Sequence, residues 1–230
     1  MRLMLKLSGE ALAGEKRTGF DEAVTRRVGE QVVQLVKKGH SVGIVIGGGN
    51  FWRGRTGNEI DRDKSDQIGM LATVMNCIYV SEIFRTLGLR TAIYTPFAVG
   101  TFTEPFAVDR AREDLADGKV VFFAGGTGHP YFSTDTGVVL RAVEIKAEAI
   151  LLAKAIDGVY DADPAIVKDA KRFDRLTLDE VIEKELQVID LTASVLAKNN
   201  GMELRVFALQ EEDSIIKAAE GHFNGTIVTA

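Results

Sequence analysis

At 230 residues the chain is long enough to bury one sizeable core, as one large α/β domain or as two fused lobes. A net charge of −5 argues against the basic surface of a general nucleic-acid binder, yet leaves room for an anionic ligand held by locally gathered cations. The single cysteine, Cys77, excludes an intrachain disulfide framework and a cysteine-cluster metal site, and His40, His129 and His222 are too scattered for a histidine metal motif. The first residues enter a strand-like segment without an apolar leader, and no apolar run is long enough to span a bilayer. A cytoplasmic protein without membrane contact is therefore expected.

Arg2 to Leu7 (RLMLKL) reads as the first strand, with Lys6 an odd guest in an apolar run. Ser8-Gly9-Glu10 follow at once. Either Lys6 is an edge lysine facing water, or it brings an ammonium to a strand end beside free backbone N–H groups. Gly14 to Gly19 is a polar loop. Asp21 then caps a helix to Lys38, with Val24, Val28, Val32, Leu35 and Val36 at helical spacing and Gly39 as its stop.

Val42 to Ile46 has the β-branched composition of a buried parallel strand. It runs into Gly47-Gly48-Gly49-Asn50, with Arg53 and Arg55 close behind. Consecutive glycines at a strand end allow a sharp turn and remove every Cβ that would hold an anion away. The loop reads as a phosphate cradle or as a plain tight turn. It is not a P-loop, since G-x-x-x-x-G-K-[ST] is absent. It is not a dinucleotide fingerprint either, since Trp52 stands where glycine is needed.

A long helix opens at Ser65 or Asp66 and runs to Leu87. It is apolar on more than one face, which points to cover on two sides and to a subunit interface. Asp66, at its start, reads as a cap or dipole partner unless a ligand claims it. Cys77, within this helix, reads as a buried structural thiol. A strand at 90–95, a loop or short hairpin at 96–105, a helix at 107–117 and a strand at 119–123 follow. Strands alternating with helices predict a mainly parallel sheet covered on both faces.

A second glycine-rich strand end, Ala124 to Asp135, gathers hydroxyls, His129, aromatics and an acid before a helix at 135–147. Asp135 reads as N-cap, organiser of nearby lysines, or both. His129 reads as a packing or surface residue or as a base. A strand at 150–153 leads to Lys154 and the turns Asp157-Gly158 and Asp163-Pro164. Tyr160 between acids stacks on a base or pins the loop. Helices at 178–185, 191–199 and after Asp213, and strands at 204–208 and 226–228, complete the chain.

Lys6-Leu7-Ser8-Gly9-Glu10-Ala11-Leu12, Gly47-Gly48-Gly49-Asn50 with Arg53-Gly54, Asp66 with Gly69 to Asn76, Thr127 to Asp135, and Asp157 to Pro164 together resemble the bacterial uridylate (UMP) kinases of the amino-acid kinase superfamily. The likeness is collinear over essentially the whole chain, and the KLSGEAL and GMLATVMN segments are particular to the UMP kinases. It implies one domain over 1–230, a three-layer α/β/α sandwich around a mainly parallel sheet, and a homohexamer. It implies the reaction MgATP + UMP → ADP + UDP, with Mg²⁺ held mainly by ATP oxygens and water and with no metal ligands from the protein. Lys6, Arg53 and Asp135 are then the expected catalytic residues. Lys6, Leu7, Ser8, Gly9, Gly49, Arg53, Lys154, Tyr160 and Asp163 are the expected ATP contacts. The expected UMP contacts are Gly48, Asp66, Thr127, Gly128, His129, Pro130, Tyr131, Phe132, Ser133 and Thr134, with Asp66 on the ribose hydroxyls. UMP's phosphate is already an ionised nucleophile, so alignment and charge neutralisation suffice without a strong base.

Two positions depart from the family pattern: His129 replaces a common Asn, and Lys154 replaces a small polar residue. In relatives the segment matching Gly14 to Gly19 takes part in activation by GTP, and UTP inhibits. Both are expectations for this chain. Rival readings are a carboxylate or carbamate kinase of the same superfamily, or a non-catalytic nucleotide- or oxyanion-binding storage protein.

Overall fold

The computed structural model describes residues 1–52 and 60–230. In chain order, β1 (Arg2–Leu7) is followed by α1 (Gly9–Leu12), α2 (Glu22–Lys37) and β2 (Ser41–Ile46). Next come α3 (Arg62–Thr86), β3 (Thr91–Thr95), β4 (Glu104–Pro105), α4 (Val108–Ala116), β5 (Val120–Phe123) and α5 (Thr134–Glu144). Then β6 (Ala149–Lys154), β7 (Val159–Tyr160), β8 (Arg172–Phe173), β9 (Arg175–Thr177), α6 (Leu178–Glu183), α7 (Leu191–Asn199), β10 (Glu203–Ala208), α8 (Ser214–Glu220) and β11 (Gly225–Thr229) complete the chain.

One nine-stranded sheet runs in the order β4-β3-β5-β2-β1-β6-β10-β11-β9. Every pairing in it is parallel except β10 with β11. The two-residue strands β7 and β8 form a separate antiparallel ribbon.

Period-2 alternation splits the core between two layers. Leu3, Leu5 and Leu7 of β1 join Val42, Ile44 and Ile46 of β2 against Val28, Val32 and Leu35 of α2, Cys77 and Phe84 of α3, and Ile215 of α8. Met4 of β1 joins Ile150 and Leu152 of β6 on the other face, against Val138 and Ala142 of α5, Val181 of α6 and Ala193 of α7. The result is an α/β/α sandwich, as the resemblance implied.

Several boundaries differ from the sequence reading. α3 begins at Arg62 with Asp61 at the N-cap position, so Asp66 lies beyond the first turn and is no cap. Ser133, not Asp135, caps α5: its hydroxyl accepts from the N–H groups of Asp135 and Thr136. α1, the β7–β8 ribbon and β9 were not foreseen; the two ribbon strands are too short to carry a period. By length and composition alone α3 is apolar enough to cross a bilayer, contrary to the sequence reading. It instead lies on the sheet with Asn76 and Ser81 buried among its apolar residues. Cys77 is fully buried, and burial pushes its thiol pKa up, as suits a structural thiol.

Leu5 sits fully buried in β1, which is paired on both sides. Leu5→Ala is expected to lower unfolding free energy by about 2–5 kcal/mol. Urea denaturation followed by circular dichroism measures it, and a loss below about 1 kcal/mol would mean that the two layers close over the cavity.

Candidate active site

The C-terminal ends of the parallel strands β1, β2, β5 and β6 meet at one edge of the sheet, where α/β folds collect their ligands. Lys6 lies on a strand flanked by β2 and β6, so it is not an edge lysine. It shares the face of Met4, toward α5. Its Nζ stands 3.1 Å from Oδ1 of Asp135, with the two side chains 16% and 23% exposed. That carboxylate oxygen is buried and has no aligned hydrogen-bond donor among the described residues. It is held by charge alone.

Asp135 is placed by its neighbours. The Ser133 hydroxyl accepts from the Asp135 and Thr136 N–H groups at 3.0 and 3.2 Å and donates to Asp190. Asp190 in turn caps α7, accepting from the Ala193 N–H at 3.0 Å, and also takes the Thr136 hydroxyl. Two helix starts are thus bolted together, with the side chain of Asp135 left over for Lys6. Asp190 escaped the sequence reading; its signal was an N-cap Asp before Leu191.

The first glycine loop is held from three sides. The Gly47 N–H donates to the Leu7 carbonyl at 3.0 Å, tying it to β1. Asn50 and Asn76 exchange amide hydrogen bonds at 3.0 and 2.8 Å, and Asn76 also donates to the Gly47 carbonyl at 2.7 Å. Asn50 donates to Gly19 at 2.8 Å and its carbonyl accepts from the Thr18 hydroxyl at 2.9 Å. Gly48 and Gly49 line the cleft, and their N–H groups make no hydrogen bond to any described residue. A Cβ on Gly48 would lie 2.7 Å from the Gly69 carbonyl oxygen of α3. Arg53, Gly54 and Arg55 lie outside the described residues.

The second glycine loop is tied to the same helix. The Thr73 hydroxyl accepts from the Gly125 N–H at 2.8 Å and donates to the Met70 carbonyl at 2.7 Å. A cleft of about 350 Å³ opens between the loops. Lys6, Gly48, Gly49 and Asp135 line its inner end. Asp66, Thr127, His129, Tyr131, Phe132, Ser133 and Thr134 line its walls, joined by Trp52, Arg62 and Thr73, which the sequence reading did not single out. Gly128 and Pro130 belong to the same loop without lining the cleft.

Asp66 Oδ2 accepts from the Tyr131 N–H at 2.8 Å, and Arg62 stands 3.7 Å from the same oxygen. The Arg62 guanidinium also covers the Tyr131 ring at 4.8 Å. Tyr131 has φ 72°, a left-handed conformation that bulky residues rarely adopt. The His129 side chain is exposed, while its N–H donates to the Thr127 hydroxyl at 3.2 Å.

Beyond Asp135 the groove continues. A second cleft of about 590 Å³ shares Ser133 and Asp135 with the first and adds Lys154, Val181 and the 185–191 segment. A third, of about 420 Å³, shares Glu185, Leu186 and Gln187 with the second and carries Tyr160, Asp163 and Pro164. Lys154 Nζ donates to the Val188 carbonyl. Burial lowers its pKa to about 8, an effect that Asp135 opposes and Lys6 reinforces. Tyr160 donates to Asp157 at 2.8 Å, and Arg172 holds the other oxygen of that carboxylate at 2.6 Å, fixing the turn. Of the remaining expected residues, Leu7 points into the opposite core, so only its backbone reaches the sheet edge. Ser8 and Gly9 start α1 against the glycine loop and line none of the three clefts.

Two clefts thus share Ser133 and Asp135, with Lys6 paired to Asp135 at their boundary and the first glycine loop lining one of them. The amino acid kinase family model matches residues 1–208, and the chain belongs to that family. Among solved structures it is similar to a UMP kinase from Bacillus anthracis, at 33% identity and TM-score 0.95, covering 99% of this chain and 95% of that one. It is likewise similar to a UMP kinase from Ureaplasma parvum, at 31% identity and TM-score 0.95, covering 100% of this chain and 99% of that one.

Because the atom nearest a Cβ at Gly48 is helix backbone, that position cannot relax by a side-chain turn. Gly48→Ala is expected to destabilise the fold by about 1–3 kcal/mol and to depress phosphoryl transfer. Thermal melts with a turnover assay test this; wild-type values in both would show that the loop yields.

Proposed function

We propose that this chain is a nucleoside monophosphate kinase that transfers the γ-phosphoryl group of MgATP to UMP, giving ADP and UDP for pyrimidine nucleotide synthesis. The observation that carries this reading is the shared wall of the two clefts. Asp135, with Lys6 paired to it, borders both, so each ligand's phosphates can approach the other's at one ammonium. The cleft between the glycine loops takes UMP. The groove from Lys154 to Tyr160 and Asp163 takes ATP.

The acceptor phosphate is an ionised nucleophile at neutral pH, so the protein's task is alignment and neutralisation. Lys6 steadies negative charge on the phosphoryl in transit, and Asp135 keeps the ammonium aimed. Gly48 and Gly49 offer N–H groups to the phosphates. Asp66, steadied on one oxygen by the Tyr131 N–H, has its other oxygen for ribose hydroxyls. Arg53 adds positive charge in this reading. Mg²⁺ arrives with ATP as part of the substrate, held by phosphate oxygens and water. Among the described residues no group of three His, Cys, Asp or Glu side chains could cage it.

Assembly and regulation extend the same proposal: one domain acting in a homohexamer in the cytoplasm, activated by GTP and inhibited by UTP. α3 supports the assembly, because Ile68, Leu71, Met75 and Ile78 form an exposed apolar stripe at helical spacing. Leu71 and Met75 are 51% and 47% exposed. A route for an effector at Gly14 to Gly19 is supported by the bonds from Thr18 and Gly19 to Asn50, which lead directly to the phosphate loop.

ADP release measured across UMP, CMP, glutamate, aspartate and carbamate, with and without GTP and UTP, tests the reading; UMP is expected to stand alone. Turnover of a carboxylate or carbamate, or nucleotide binding without turnover, would overturn it. Lys6→Ala is expected to cut kcat by about two orders of magnitude or more while the fold persists, since it removes the charge at the transfer point. Asp66→Ala is expected mainly to raise the KM for UMP, with little change in Tm because the residue caps nothing. A lowered Tm with unchanged KM would assign Asp66 a structural role only.

A further inference from the structure

Lys154 ends β6 at the wall of the second cleft, and its surroundings give it a use. β6 is the strand next to β1, and Lys6 pairs in register with Leu152, two residues before Lys154. Both lysines follow by two residues a side chain of the same core layer, Met4 for Lys6 and Leu152 for Lys154, so both project from one face. Two ammonium groups therefore leave neighbouring strand ends toward the start of α5, where Asp135 is the carboxylate between them.

The charge count there does not balance. Asp135 stands 3.1 Å from Lys6, and Lys154 Nζ donates to the Val188 carbonyl without an ion pair to any carboxylate among the described residues. The other acids near this groove are committed or exposed. Asp190 serves Ser133, Thr136 and Ala193; Asp157 serves Tyr160 and Arg172; Glu185 lies exposed at the rim. β10, on the far side of β6, brings no charge at this level: Ala208 pairs with Lys154 and the Leu209 N–H binds its carbonyl. A largely desolvated cation whose nearest carboxylate is already paired with another lysine gains from a ligand that supplies an anion.

Resting on the reading of the second cleft as the ATP groove, we propose that Lys154 is a second phosphate-binding ammonium of the donor site. It leaves the Val188 carbonyl to take the ATP polyphosphate on the side opposite Lys6.

The free-enzyme pKa of about 8 adds a signature. Polyphosphate favours the charged form, so the bound pKa rises. ATP affinity is then full below about pH 8 and falls as pH rises above it, with uptake of a proton on binding.

Calorimetry of MgATP binding to the full chain, without UMP, tests this in two buffers of different ionisation enthalpy at about pH 7 and about pH 9. Wild type is expected to take up a substantial fraction of a proton at the higher pH and almost none at the lower. Lys154→Met is expected to bind MgATP about tenfold more weakly at the lower pH and to lose the proton uptake. Lys154→Arg, charged throughout, is expected to lose only the pH dependence. Fluorescence of Trp52, the single tryptophan and a wall of the acceptor cleft, should report unchanged UMP binding in both variants.

MgATP binding by Lys154→Met within about twofold of wild type, with the same proton uptake, would overturn the proposal. Should that variant fail to fold, absence of proton uptake in wild type at the higher pH overturns it equally. Wild-type turnover with UMP is the control: its absence strikes the kinase reading, whereas normal turnover with Lys154-independent ATP binding strikes this inference alone.

Discussion

An ammonium at the end of a central strand is the constraint on which the rest depends. Lys6 is hydrogen-bonded through its backbone to strands on both sides and cannot swing to water as an edge lysine does. A cation so placed is costly without a counter-charge. Asp135 supplies that charge from the first turn of α5, and can do so because Ser133 and not Asp135 caps the helix. Ser133 is in turn held by Asp190 at the start of α7. A partly buried ion pair of this kind adds little net stability. What it fixes is position, and position is what transfer between two phosphates requires.

The long helix α3 sets the other half of the geometry. Asn76 binds the loop after β2, and Thr73 binds the loop after β5, one turn apart on the same helix face. The spacing of the two glycine loops is therefore the spacing of two side chains on a rigid rod. A buried Asn or Thr in an apolar helix must find partners, and here both find them in loop backbone. The opposite face of α3 carries the exposed apolar stripe, which explains why the helix is apolar nearly all round.

Much of this was legible in the residues. Alternation in RLMLKL, the apolar run before Gly47 and the helical spacing after Asp21 led to the observed elements, and the motif pattern led to the family and to most cleft-lining residues. Three things were not legible. Strand order was one, and with it the exclusion of an edge role for Lys6, because parallel pairing is long-range. The division between Ser133 and Asp135 was another, since a cap shifts by two residues without changing the hydroxyl–acid pattern. The side-chain braces Asn50–Asn76, Thr73–Gly125 and Ser133–Asp190 were the third. Each joins residues more than 25 positions apart and leaves no periodic trace.

In the loop proposed to hold the acceptor, the side chain of His129 plays no part in the loop's shape. Its side chain is exposed, and the loop is shaped by backbone bonds on either side of it. The His129 N–H goes to Thr127, and the Tyr131 N–H goes to Asp66. Tyr131 is held at φ 72°, with its N–H on Asp66 and the Arg62 guanidinium over its ring. Asp66 thus has two partners that exist before any ligand arrives, one positive and one a backbone donor. Its carboxylate is oriented in advance, the condition under which a ligand's donors bind with little further ordering. On the proposed reading, recognition of the acceptor rests on this backbone and on the carboxylate it orients, and the exposed side chain at 129 takes no part in shaping the loop.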